Sequence, residues 1–314
     1  MDSIVWGRSH GHVMTVVYSG RYHIDIGAHV FPTQKYTLVH ARLLQTGLMQ
    51  PADVVEPRPA SWDELALVHT REYLANIRDG TLSEEDLAQL ELPWSPSMVD
   101  GFRVMVGGTI DAARLAVEHR AIVAHLGGGL HHAFPNHGEG FCPFNDVAVA
   151  VRVLQGQGLE RAAIVDLDVH HGNGTAFIFE SDPRVFTFSM HQQHNYPLWK
   201  PRGRLDIGLS DGAGDDEYLA KLEQSLPNVM ASSPDCVFYL AGADPYEDDQ
   251  LGGLGLTQRG LRRRDRMVME QVRAAGVPLA VVLAGGYARR VEDTVAIHVA
   301  TIEEAHRALL ASGH

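Results

Sequence analysis

The segment Val165-Asp166-Leu167-Asp168-Val169-His170 carries three ligand-type side chains at alternate positions. Successive side chains of an extended chain point to opposite faces. Asp166, Asp168 and His170 therefore share one side, and Leu167 and Val169 the other. Three such groups at a buried strand end are costly unless they are paired or bind a metal. Asp168 and His170 supply one oxygen and one nitrogen. Asp244, which follows an apolar run of its own, is the best candidate for a third ligand. Three protein ligands plus an open position for water are the pattern of a catalytic zinc site, although iron(II) suits the same donors. Asp-x-Asp-x-His alone would also suit a hydrogen-bonded strand terminus. Other reactive groups in equivalent loops favour the metal.

Those groups begin with His131 and His132, which follow Gly127, Gly128 and Gly129. Glycines let the backbone turn sharply and approach a ligand closely. Beside a divalent cation, one imidazole can accept the proton of a water while the other hydrogen-bonds the water or protonates a leaving amine. Each needs an orienting partner, and Asp166 and Asn173 are the candidates. A carboxylate partner raises imidazole basicity and an amide does not, so the two histidines should titrate differently. Tyr287, after Gly285 and Gly286, has a hydroxyl that could hold a developing oxyanion.

Short apolar runs must position these loops. Val13–Tyr18, Ala121–Leu126, Ala162–Leu167, Val185–Ser189, Val237–Ala241 and Leu279–Ala284 read as buried parallel strands. Helical patterns cover Gly107–His119, Val147–Gln155, Asp215–Met230, Gly260–Ala274 and Thr294–Ala311. The alternation predicts an α/β fold in three α/β/α layers around a central, mostly parallel sheet of about eight strands. Residues 1–314 read as one domain, with the proline-rich stretch 92–97 (LPWSPS) as a surface loop. Four of the strand ends carry a glycine and a reactive side chain, and parallel sheets bind ligands beyond the carboxyl ends of their strands.

The formal net charge of −13 disfavours nucleic acid and anionic membranes and mildly favours a cationic partner. The triplet Arg262, Arg263 and Arg264 reads as a solvated helix face. Cys142 and Cys236 are the two cysteines, which fits a reducing cytoplasm. No run approaches the roughly 18 apolar residues of a membrane span.

At these residues the sequence resembles the histone deacetylase family of the arginase/deacetylase fold. The resemblance rests on GGGLHHAFPNHGEGFCPFND, VDLDVHHGNG, FSMH, AGADPYEDDQLGG and LAGGY, and matches run from about Tyr18 to about His298. VYSGRYHIDIGAHVFPTQKY, ASWDELALVHTREYL and MVGGTIDAARLA look most like the class IV branch and its bacterial relatives. The resemblance implies a zinc-dependent lysine deacylase, acting on acylated lysine in proteins or peptides or on small acylated amines. It assigns zinc to Asp168, His170 and Asp244, the main base to His132, acid or electrostatic support to His131, and carbonyl polarisation to Tyr287. Gly140 and Phe141 would line a narrow tunnel. A structural K⁺ or Na⁺ would sit at Asp166 and Ser189 with the carbonyls of Asp168, His170 and Met190, and a second at Phe179, Asp182 and Val185.

The sequence also departs from the family pattern. Asn173 stands where class I members have an aspartate. The second aromatic tunnel wall falls to His194, Asn195 or Tyr196. Leu251 occupies the rim position that is glutamate in polyamine-preferring relatives. Gly172 and Tyr246 stand where a dinuclear ureohydrolase of the same fold would need further carboxylates, which favours one catalytic ion.

Overall fold

The computed structural model, which describes residues 14–311, holds one sheet of eight strands. They are β1 (Val16–Val17), β2 (Val54–Val55), β3 (Ile122–His125), β4 (Ala162–Asp166), β5 (Val185–Gln192), β6 (Leu205–Leu209), β7 (Cys236–Leu240) and β8 (Leu279–Val282). Their order is β2-β1-β3-β8-β7-β4-β5-β6, and every pairing is parallel. Each of the six apolar runs overlaps a strand. The first shrinks to Val16–Val17, and Val13 lies outside the described residues. β2 is too short to show a pattern. β6 alternates Leu205, Ile207 and Leu209 with Asp206 and Gly208, as suits a half-exposed edge rather than a strand covered on both faces.

The helices are α1 (Lys35–Gln45), α2 (Trp62–Leu65), α3 (Arg71–Asp79), α4 (Glu84–Leu90), α5 (Pro96–His119), α6 (Asp146–Gly156), α7 (Asn173–Phe179), α8 (Asp215–Ala231), α9 (Gln258–Ala274) and α10 (Val291–Leu310). α5 packs on α6 and on β3 and β8. α1, α10, α9 and α8 follow one another as a second row of neighbours. The fold is thus the three-layer α/β/α arrangement, with a fully parallel sheet. α5 starts earlier than its apolar pattern. Ser95 caps it by accepting from the Met98 amide at 3.1 Å, and Pro96 takes the first helical position. The stretch 92–97 is therefore loop only as far as Ser95, and Leu92 within it is buried.

The strands β3, β8, β7 and β4 are consecutive in the sheet, and they are the four whose loops carry the reactive residues. Sequence order scatters these loops along the chain. Strand order gathers them at one edge.

The arginine triplet does not form a solvated face. On a helix, consecutive residues point about 100° apart, so three in a row cannot share one environment. Arg263 is exposed, while Arg262 reaches Glu303 and Glu304, each at 2.7 Å. Arg264 is fully buried. Its guanidinium bonds Asp265 Oδ1 at 2.9 Å and donates to the carbonyls of Gly242 at 2.6 Å and Leu167 at 3.2 Å. Those carbonyls begin the loops of Asp244 and Asp168, so a core cation braces both.

Replacing Arg264 by Met should leave Asp265 buried without its cation and lower the unfolding free energy by roughly 3–5 kcal/mol. Urea denaturation reads this as a lower midpoint at unchanged slope. An unmoved midpoint would show that the brace carries no stability.

Candidate active site

β4 ends at Asp166, and the chain bends through Asp168 to His170 rather than continuing extended. The alternation expected through His170 therefore stops two residues short of Asp168. Hydrogen bonds restore the convergence. Asp166 Oδ1 accepts from the Asp168 amide at 3.2 Å, and Asp168 Oδ1 accepts from the His170 amide at 3.0 Å. Asp244, from the loop after β7, lies against them. Its Oδ1 accepts from the Val169 amide at 2.9 Å.

Asp168, His170 and Asp244 place one donor atom each within 4.8 Å of the others. His170 Nδ1 stands 3.0 Å from Asp168 Oδ1 and 3.5 Å from Asp244 Oδ2. Asp244 Oδ2 has no hydrogen-bond partner although the residue is fully buried. An orphaned buried carboxylate oxygen beside a second carboxylate and an imidazole fits a divalent cation. Burial raises the Asp244 pKa, and the neighbouring Asp168 charge raises it further. Burial opposes protonation of His170. The hydrogen bond with Asp168 and the charges of both aspartates outweigh it and raise its pKa to about 10. The trio is starved of positive charge. Among the described residues it is the one such cluster, and neither Gly172 nor Tyr246 adds a donor to it.

His131 and His132 sit at the end of β3, with their Nε2 atoms 3.1 Å apart. His131 Nδ1 faces Asp166 Oδ2 at 2.7 Å, and His132 Nδ1 faces Asn173 Oδ1 at 2.7 Å. Both orienting partners are those expected from the sequence. Burial disfavours the imidazolium at both positions. At His131 the charges of Asp166 and Asp168 overcome it and raise the pKa to about 9. At His132, facing a neutral amide and two other histidines, the pKa falls well below the usual histidine range. The pair therefore presents one charged and one neutral imidazole at neutral pH.

Residues 29–302 match the sequence pattern of the histone deacetylase domain. The chain belongs to the histone deacetylase family. It is 46% identical over 286 residues to an uncharacterized protein of Picosynechococcus sp., covering 90% of this chain and 95% of that one. It is 31% identical over 301 residues to histone deacetylase 2 of Arabidopsis thaliana, covering 90% and 78%. The fold matches an HDAC homologue from Aquifex aeolicus with a TM-score of 0.79 over 93% of this chain and 83% of that one, at 24% identity.

A cavity of about 170 Å³ leads to the trio of this deacetylase-family chain, lined by His132, His170, Phe141, Tyr196, Leu251 and Tyr287 among others. Phe141 and Tyr196 both line it, so among the three residues considered for the second wall Tyr196 is the aromatic ring in place. Tyr196 stands edge-on to His132 at 5.0 Å, and Phe141 edge-on to Tyr287 at 6.0 Å. Gly140 has φ +53°, and a Cβ there would lie 2.9 Å from the His132 ring and 3.0 Å from Tyr196. Only glycine suits that turn. Burial, then the charges of Asp168 and Asp244, keep the Tyr287 hydroxyl protonated by raising its pKa well above 10. Burial likewise pushes up the Cys142 thiol, leaving no thiolate nucleophile there. Asp166 and Ser189 are register partners on β4 and β5. Asp182, of the second expected cation site, bonds Arg152 at 2.5 Å and Arg184 at 2.9 Å.

Sequence patterns alone do not single out three further residues. Asp249 accepts from the amides of Tyr287 (2.7 Å), Leu251 (2.8 Å) and Gly252 (2.9 Å), and so joins the tyrosine loop to the Asp244 loop. Asp146 accepts from the Gly129 and Leu130 amides at 3.0 and 2.7 Å, fixing the turn before the histidines. Lys35 is fully buried, and its Nζ donates to the Ala284 carbonyl at 2.8 Å. Burial lowers its pKa to about 8 against the pull of Asp244, Asp168 and Asp249. A lone lysine within KYTLVHARLLQ carries no sequence signal of this placement.

Gly285 donates its amide to Asp168 Oδ2 at 2.8 Å, and a Cβ there would collide with the carboxylates of Asp244 and Asp168. Gly285→Ala should fold with wild-type circular dichroism yet lose stoichiometric binding of a divalent metal, measured by elemental analysis after dialysis. Wild-type metal content would mean that the carboxylates are not confined as described.

Proposed function

We propose that this protein is a zinc-dependent amidohydrolase that removes acetyl or other acyl groups from the side-chain amine of lysine in proteins or peptides. The observation that carries this reading is a histidine pair, one imidazole facing a carboxylate and the other an amide, beside three mutually close metal-type ligands at the end of a narrow aromatic-walled cavity. Family membership supports the hydrolase class. Asp168, His170 and Asp244 would hold the zinc, with iron(II) suited to the same donors. Bound there, the ion supplies Lewis-acid polarisation of the amide carbonyl and acidifies a water.

The chain's own residues do the rest. His132 keeps Nδ1 on Asn173 Oδ1, so its Nε2 lone pair, which His131 Nε2 approaches at 3.1 Å, is the basic site left to take the proton of the attacking water. Water oxygen bonds the acyl carbon, and the carbonyl electrons move to oxygen. The Tyr287 hydroxyl donates to that oxygen as charge develops. His131, held as an imidazolium by Asp166, stabilises the negative charge nearby. The C–N bond then breaks, and a proton from the histidine pair passes to the departing amine. A carboxylic acid and a free amine leave.

Phe141 and Tyr196 would clasp the aliphatic stem of the substrate. Glu91 lines the same cavity, and its charge favours a cationic molecule. That observation keeps a small acylated polyamine as the second reading, against Leu251 at the rim. A K⁺ or Na⁺ beside Asp166 and Ser189 belongs to the same reading. Buried, unpaired Cys142 and Cys236 suit a reducing cytoplasm.

Turnover of a panel of acetyl-, butyryl- and long-chain acyl-lysine peptides, compared with acetylspermidine, tests the substrate class. Higher kcat/KM on acetylspermidine would favour the second reading. Tyr287→Phe should lower kcat on the order of 100-fold, and near-normal kcat would remove Tyr287 from the mechanism. Asp244→Ala should lose its zinc, and unchanged zinc content would remove Asp244 from the ligand set.

A further inference from the structure

Glu139 is a buried acid that the reaction above leaves unused. It directly precedes Gly140 and Phe141 and is 9% exposed. Its ion-pair neighbour is His137, at 3.4 Å, with no lysine or arginine beside it among the described residues. Burial works against its charge, but the hydrogen bonds it receives prevail and hold the pKa below the usual glutamate value. One oxygen, Oε1, accepts from Asn173 Nδ2 at 2.6 Å and from the Tyr196 hydroxyl at 2.9 Å. The other, Oε2, accepts from Gln89 Nε2 at 3.0 Å.

Asn173 is the residue that orients His132, and an amide can do so in two ways. If its oxygen faces Nδ1, that nitrogen must carry the hydrogen, and Nε2 presents a lone pair. If its NH₂ faces Nδ1, the hydrogen moves to Nε2 and the base is lost. A carboxylate accepts and never donates, so Glu139 commits Asn173 Nδ2 to itself and turns Oδ1 to His132. The same oxygen ties down Tyr196, whose ring packs on His132 and lines the cavity. Base and wall thus share one anchor.

We propose that Glu139 is a positioning residue, setting the tautomer of His132 through Asn173 and tying the Tyr196 wall to it. This rests on the reading of His132 as the general base. Glu139→Gln keeps the shape but loses the charge and turns an NH₂ toward groups that are themselves donors. Its kcat on acetyl-lysine peptide should fall by about tenfold or more, and its KM should rise. Double-mutant cycles separate this from a merely structural role. In an Asn173→Ala background Glu139→Gln should cost no further kcat, and in a Tyr196→Phe background it should raise KM no further. Additive losses, or a single variant with wild-type kcat and KM, would overturn the proposal. Should Glu139→Gln fail to fold, Glu139→Asp enters the same cycles. NMR of the Asn173 side-chain amide tests the contact without turnover. Its Nδ2 protons should lie downfield in the wild type and move upfield in the variant, and unmoved resonances would overturn the proposal. A wild type that hydrolyses no acyl-amine would refute the function instead, while the amide resonance would still decide the anchor.

Discussion

Asp168 and Asp244 are two carboxylates buried side by side at the carboxyl end of a parallel sheet, and the rest of the molecule answers to that repulsion. Like charges at this distance in a poorly polarisable interior cannot both stay ionised without a compensating positive charge. The backbone supplies part of it through the amides of Val169, His170 and Gly285. His170 supplies more. The oxygen left over, Asp244 Oδ2, marks where a cation is needed.

Further cations and dipoles support this centre from behind. Arg264 braces the first carbonyls of both ligand loops, and Lys35 reaches the Ala284 carbonyl. Lys35 lies within 5.2 to 5.6 Å of the rings of Phe31, Tyr36 and Tyr287. Its interior placement is tolerable because Asp244, Asp168 and Asp249 oppose its neutralisation. Asp249 then holds the tyrosine loop through backbone amides alone. The loops of the centre are thus each held by hydrogen bonds from residues outside the ligand trio.

The histidine pair shows how one sequence difference becomes a division of labour. His131 and His132 are neighbours in the chain and almost equally buried, yet one meets a carboxylate and the other an amide. Burial lowers both pKa values; the charges of Asp166 and Asp168 reverse the shift at His131, and the charges of His131 and His170 deepen it at His132. The amide brings an ambiguity that a carboxylate lacks, and Glu139 resolves it by taking the NH₂ group.

Much of this was legible in the chain itself. The apolar runs marked the central strands, because parallel strands covered on both faces leave no room for polar alternation. Glycine next to a reactive side chain marked the loops, and Asp168, His170, Asp244, His131, His132 and Tyr287 all stand on loops that leave the carboxyl ends of those strands. Edge strands and short helices such as α3, α4 and α7 escaped, since they are too short to carry a long period. Local pattern misled at Arg264, whose neighbours are charged but whose direction on the helix is inward. Sequence determined which groups sit at strand ends, a property of neighbouring residues. Tertiary structure alone decided that β3, β8, β7 and β4 lie adjacent, that Tyr196 rather than His194 or Asn195 brings an aromatic ring to the wall, and that Lys35 and Glu139 serve the centre. Those are contacts between distant segments, fixed by strand order and packing rather than by spacing along the chain.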